Sequence, residues 1–144
     1  MLELFTDYVE GDAGQPALVL STRRLGETAL NAVDKSLAAF GYGDGAFIQA
    51  TTLPLDCAAE GGDIALDPQA LFLLVEAVDP LMIVCTDAEA TEALAAAYRT
   101  ELRADSAARV FGRPSALFSK LDSLMESDAG KQKAWMLLKS LPRR

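Results

Sequence analysis

Apolar residues in this chain come in two spacings, short unbroken runs and helical stripes, and the two alternate. Leu81-Met82-Ile83-Val84-Cys85 follows a proline and runs into Thr86-Asp87 without polar alternation. That is the pattern of a strand covered on both faces of a parallel sheet. Ala17 to Leu20 and Ala46 to Thr52, the latter led by Phe47 and Ile48, are further strands of this kind. Between them the spacing becomes helical. Leu30, Val33, Leu37 and Phe40 stripe a helix from Gly26 to Phe40, which Gly41 stops. Asp67 caps and Pro68 begins a helix over Gln69 to Val78, and Asp87 caps an alanine-rich helix from Ala88 to Thr100.

The ends of the chain are less regular. Residues 1–16 read as a short helix or arm followed by a turn, and 53–66 as a long irregular loop with Pro54, Gly61 and Gly62. A last strand is expected around Arg109-Val110-Phe111, then a turn over Gly112 to Ser115. A helix from Ala116 to Met125 follows, with Leu117, Leu121, Leu124 and Met125 inward. Asp128 is placed to cap a final helix through Leu141, whose buried face would hold Ala134, Trp135, Leu138 and Leu141. The alternation predicts one α/β domain over residues 1–144, a three-layer α/β/α sandwich. Its four parallel strands take the order 2-1-3-4, with Leu81 to Cys85 interior.

Composition narrows the chemistry. The 144 residues include no histidine and two cysteines, which removes the commonest general base and leaves too few ligands for a cysteine-bound metal or cluster. Neither metal nor cofactor is expected, and any reaction would rest on carboxylates, hydroxyls, lysine or a thiol. Cys85 ends a buried strand as a small hydrophobe. Cys57, in the polar loop, is a weak nucleophile without a histidine to activate it. No apolar run approaches the roughly 20 residues of a membrane span, and no signal pattern opens the chain, so a cytoplasmic protein without membrane association is expected. Gly41-Tyr42-Gly43-Asp44-Gly45 follows a helix and opens a strand, the reverse of a phosphate-cradling loop, and reads as a turn.

The net charge is −8 and unevenly spread: residues 1–98 hold 3 basic and 16 acidic side chains, residues 99–144 hold 10 and 5. The basic third is either a solvated face or a surface for an anionic partner.

That third also carries a resemblance. Gly112-Arg113-Pro114-Ser115-Ala116-Leu117, then Asp128 to Leu141 with Lys131, Trp135 and Leu138 at its core, resembles the end of the uracil-DNA glycosylase superfamily. In that family a histidine-proline-serine turn leaves the last strand, and a helix with a lysine–tryptophan–leucine spacing follows. The order of Ala17 to Tyr42, Ala46 to Leu53 and Leu81 to Leu94 also fits, so the resemblance spans roughly residues 17–141. It implies the glycosylase fold with a degenerate site. The family's histidine falls on Arg113, which has no acceptor. The first motif falls on Ser21-Thr22-Arg23-Arg24, which has no carboxylate before Glu27. The base-reading position falls near Ala50, between Gln49 and Thr51. The chain is likewise similar to the psi-subunit family of bacterial DNA polymerase III, a degenerate form of the fold that binds partners and catalyses nothing.

No catalytic residue is therefore assigned. Ser21, Thr22 and Arg23 lie where the first strand meets a helix, and in open parallel sheets ligands gather outside the carboxyl ends of strands. Hydroxyls there also serve as ordinary caps. Thr51, at the end of the second strand, and Arg113 and Ser115, expected at the same sheet edge, complete the ligand-binding candidates. The leading expectation is a non-catalytic, glycosylase-like domain that binds a protein or nucleic-acid-associated partner. The alternatives are a binder of small anions or nucleotide phosphates and an atypical active DNA glycosylase. Binding to nucleic acid itself is expected to be weak or absent. The oligomeric state is open.

Overall fold

The structure, a computed structural model, describes residues 5–12, 14–54 and 65–143. Cys57 and most of the 53–66 loop fall outside them. Six strands form one sheet: β1 (Val9–Glu10), β2 (Ala17–Ser21), β3 (Phe47–Thr51), β4 (Met82–Cys85), β5 (Ser106–Val110) and β6 (Arg113–Leu117). Their spatial order is β1-β3-β2-β4-β6-β5. The helices are α1 (Glu27–Ala39), α2 (Pro68–Val78), α3 (Ala88–Tyr98), a single turn α4 (Leu121–Leu124) and α5 (Asp128–Leu138).

Every residue of β2 and β4 is buried because both sheet faces are covered. Leu18, Leu20, Ile83 and Cys85 face α2 and α3, meeting Leu71, Leu74 and Leu94. Ala17, Val19, Met82 and Val84 face the other way, against Val33 and Leu37 of α1, Leu121 of α4 and Leu138 of α5. The unalternating runs are the consequence of helices on both sides. As the capping pattern predicted, the Asp67 and Asp87 side chains accept from the backbone N–H groups of Ala70 and Ala90, both at 2.7 Å.

The four-stranded, all-parallel sheet does not hold; the sheet is six-stranded and mixed. β3, β2, β4 and β6 run parallel, while β1 and β5 pair antiparallel at the two edges. The arm before Pro16 supplies β1, a strand too short to show a period. At the other edge, the expected last strand at 109–111 and the turn over 112–115 are a hairpin. β5 and β6 join through Phe111 and Gly112, both at positive φ (49° and 80°). Two-residue hairpin loops of this kind usually announce themselves with Asn-Gly, and a phenylalanine in the first position conceals the signal. Pro114 stands inside a strand, where proline is ordinarily disfavoured. It is tolerated because β4 pairs with β6 only from Ser115 onward, leaving β5 alone beside the proline.

The remaining corrections are local. Ala116 and Leu117 belong to β6, so the helix expected from Ala116 shrinks to α4. Ser127, not Asp128, caps α5, accepting from Gly130 N at 3.0 Å. Leu81 lies before β4 and is 62% exposed, and Trp135 is 40% exposed rather than core. No helix among the described residues is long and apolar enough to cross a membrane.

Candidate functional site at the strand ends

The parallel register brings the carboxyl ends of four strands level: Ser21 with Thr51, Leu20 with Cys85, and Cys85 with Leu117. Beyond them the loops after β2, β4 and β6 enclose a recess of about 430 Å3 lined by Thr22, Arg23, Arg24, Leu25, Thr86 to Glu89, Ser119, Lys120 and Asp122. This is where an open parallel sheet offers a ligand site.

Backbone and side-chain bonds tie the loops to one another. Thr22 donates its N–H to Asp87 Oδ2 at 2.8 Å and its hydroxyl to Asp87 Oδ1 at 2.6 Å. The same Oδ1 caps α3 through Ala90 N. Below this, the Thr86 hydroxyl donates to Ser21 Oγ at 2.7 Å, wholly buried. Ala88 N donates to Ser119 O, and Leu121 N to Thr86 O, which joins the β4 and β6 loops. Ser119 in turn donates its N–H and hydroxyl to the Asp105 carboxylate at 3.1 and 2.8 Å.

The recess holds three cationic side chains (Arg23, Arg24, Lys120) and three carboxylates (Asp87, Glu89, Asp122). Arg24 is paired with Glu10 across the surface. Arg23 and Lys120 have no ion-pair partner among the described residues. No grouping of three or more His, Cys, Asp or Glu able to hold a metal occurs among the described residues. Cys85 beneath the recess is fully buried. Burial first, and the Asp87 charge second, push its thiol far above the ordinary range, so it stays protonated and unreactive.

The six candidates of the sequence do not form one cluster. Thr22 and Arg23 line the recess. Ser21 and Thr51 are buried in the sheet, Ser21 bonded to Thr86 and the Thr51 hydroxyl to Leu53 O. Ser115 is buried mid-strand and donates to Arg113 O at 3.0 Å.

Arg113 is the largest displacement. It opens β6 at the amino edge of the sheet, about 13 Å of strand from the recess. There its Nε donates to Pro80 O at 2.9 Å, and Nη2 to Glu76 and Asp79 at 2.8 and 2.9 Å. Burial works against the guanidinium charge, but the bonds to the two carboxylates and the Glu76 charge outweigh it and hold the proton more tightly than usual.

The residues that do follow β6 at the carboxyl edge are Phe118, Ser119 and Lys120. In sequence they are hidden, because the apolar run from Ala116 reads as the start of a helix. Read as a strand end, that apolar run would have pointed to Ser119 and Lys120 by the same rule that chose Thr22. Asp87 was visible only as a cap.

In sequence the chain matches no protein-family model and no curated protein.

Proposed function

We propose that the chain is a non-catalytic, uracil-DNA-glycosylase-like domain whose work is to bind a protein partner. The observation that carries this reading is the separation of its polar candidates. The arginine that falls on the family's histidine sits at the opposite sheet edge, locked between two carboxylates, while Thr22 and Asp87 bond to each other. Base excision needs groups converging on a cationic sugar and an anionic leaving base, and the described residues build no such convergence. Exposed apolar side chains support the partner reading: Leu81, Phe111, Trp135 and Met136 all face solvent.

Two experiments test it. Purified protein incubated with a uracil-containing oligonucleotide and then treated with alkali leaves the strand intact; cleavage above a heat-killed control overturns the non-catalytic half. Affinity capture from native extract, followed by reconstitution with purified components, yields a stoichiometric protein complex; repeated failure to reconstitute one overturns the other half.

A second reading, a small-anion or nucleotide-phosphate site in the recess, is favoured by one observation: Arg23 and Lys120 line it without ion-pair partners among the described residues. Titration with inorganic phosphate and with a nucleoside diphosphate, on the native chain and on Arg23→Ala with Lys120→Ala, decides it. Saturable binding lost in the double variant would put this reading first.

A further inference from the structure

We propose that the groove between α1 and α5 docks an acidic amphipathic helix of a partner protein. This rests on the partner-binding reading and names the surface that would serve it.

The groove is a recess of about 360 Å3, the size of a few side chains. Each wall is one helical row. α5 contributes Lys131, Ala134, Trp135 and Leu138, and α1 contributes Ala32 and Lys35 among the polar Thr28, Asn31 and Ser36. The α5 residues recur at the i, i+3, i+4, i+7 spacing that aligns side chains along a single face. Two such rows leave a channel between helices that suits the ridge of a third.

Trp135 supplies the contact energy. It is the only tryptophan of the chain, and 40% of it stays exposed. Its ring is stacked on Phe40, centroids 5.6 Å apart, and Arg143 lies over the Phe40 ring, 4.7 Å from its centroid. The stacking restrains the indole before anything binds, and a pre-ordered aromatic side chain suits an interface hot spot.

Charge selects the occupant. On a chain of net charge −8, the lining of this groove holds two lysines and no carboxylate. Neither Lys35 nor Lys131 has an ion-pair partner among the described residues. A partner helix with glutamates or aspartates flanking an apolar ridge satisfies both lysines and buries against Trp135, whose neighbours Ala134 and Leu138 already lie in the core beneath. A basic helix meets two like charges. A second copy of this chain in two-fold pairing would set lysine against lysine across the axis. A nucleic acid would find two cations beside an apolar floor, too few for a phosphate track.

The test uses a displayed library of helical peptides about 14 residues long, ~21 Å of helix, with every position varied except that tryptophan is omitted. Selection on the native chain enriches acidic side chains beside an apolar ridge. Binding of the best peptide moves Trp135 emission to the blue. Lys35→Glu with Lys131→Glu, both exposed and expected to leave the thermal midpoint unchanged, weakens that peptide by about tenfold or more. Enrichment of basic or neutral peptides, no enrichment, unmoved Trp135 emission, or undiminished affinity in the double variant each overturns the proposal. So does sedimentation showing a dimer that the double variant dissociates. A native partner that still binds the double variant sinks the groove while leaving the broader reading intact. Absence of any reconstituted partner sinks both.

Discussion

Thr22 and Asp87, 65 residues apart in the chain, meet at the strand ends with both the N–H and the hydroxyl of the threonine on the one carboxylate. Asp87 also caps α3. One side chain therefore fixes the entry of α3 and the exit of β2 together. Asp87→Ala is expected to cost about 3 kcal/mol, about 1 for the lost cap and the rest for two bonds to a charged acceptor. Asp87→Asn, which can still cap, costs about 1, as does Thr22→Val, which removes only the hydroxyl bond. Urea unfolding of the three variants measures this. A loss for Asp87→Ala no larger than that of a cap alone would mean the tie to Thr22 contributes nothing.

Arg113 serves the amino edge of the sheet. It clamps the start of β6 to the α2–β4 junction through Pro80 O, Glu76 and Asp79. Asp79 is largely exposed, so the bond to it counts for little, and most of the effect comes from Glu76 and the carbonyl. Arg113→Met should cost about 2 kcal/mol, with Arg113→Lys recovering part, since an ammonium keeps the charge but not the fork. Because Arg113 is far from the recess, neither variant should change phosphate affinity there. A change in ligand binding without a change in the unfolding midpoint would return Arg113 to the functional site.

How far the fold could be read in advance followed the length and burial of each element. Ala17 to Leu20, Phe47 to Thr51 and Met82 to Cys85 stand out because covering both faces leaves no polar residue in the run. α2 and α3 stand out because aspartate caps them. β1 has two residues and carries no period. The β5–β6 hairpin hides behind Phe111 in a turn that favours asparagine, and behind Pro114 in a strand that tolerates it only for lack of a second neighbour. The same hairpin hides part of the site, and burial in the sheet takes Ser21 and Thr51 out of it. Taking Arg113 to Ser115 as a turn after a strand, instead of the strand's beginning, moved Arg113 from one edge of the sheet to the other and left Ser119 and Lys120 unnoticed. Thr22 and Arg23 follow β2 at the carboxyl edge, a position legible because that strand is.

The basic third of the chain should not bind DNA appreciably at physiological salt. Arg113 is consumed by carboxylates, Lys131 turns to the α1 groove, and Lys133 lies about 200° around the helix from it. No continuous track for phosphates results. Fluorescence anisotropy with a labelled single strand tests this. Submicromolar binding with a salt slope near −0.7 per phosphate, lost in Arg113→Ala and Lys131→Ala, would put nucleic acid first among the partners.

Gln49 carries a buried cost. It sits in β3 between β1 and β2, 4% exposed, and its side-chain Nε2 has no hydrogen-bond partner among the described residues. An unmade bond at a buried amide costs on the order of 1–3 kcal/mol, and an apolar side chain of the same length removes that cost. Gln49→Met is expected to raise stability by about 1 kcal/mol. Destabilisation of that size or more would instead reveal an internal partner for the amide, such as a buried water.

Tyr98 should give the protein an alkaline limit. Its ring packs against Phe72 and Phe111, centroids 5.1 and 4.6 Å away, and its hydroxyl is buried without a well-aligned hydrogen bond among the described residues. Burial first, and the Glu76 charge second, push its ionisation up to about 12, with nearby Arg113 opposing. In the unfolded chain a tyrosine ionises near 10. The folded form thus holds its proton more tightly. The stability this contributes is fully present below about pH 10 and is lost as pH rises from there to about 12. Near-ultraviolet titration of the folded protein should show a tyrosinate transition near pH 12 that disappears in Tyr98→Phe. The variant also loses a buried hydroxyl that makes no good bond, so at neutral pH it should be at least as stable as the native chain. Its thermal midpoint should then fall less steeply between pH 10 and 12 than the native one. An equal fall in both proteins would place the alkaline limit elsewhere, and a late transition that survives in Tyr98→Phe would assign it to another tyrosine.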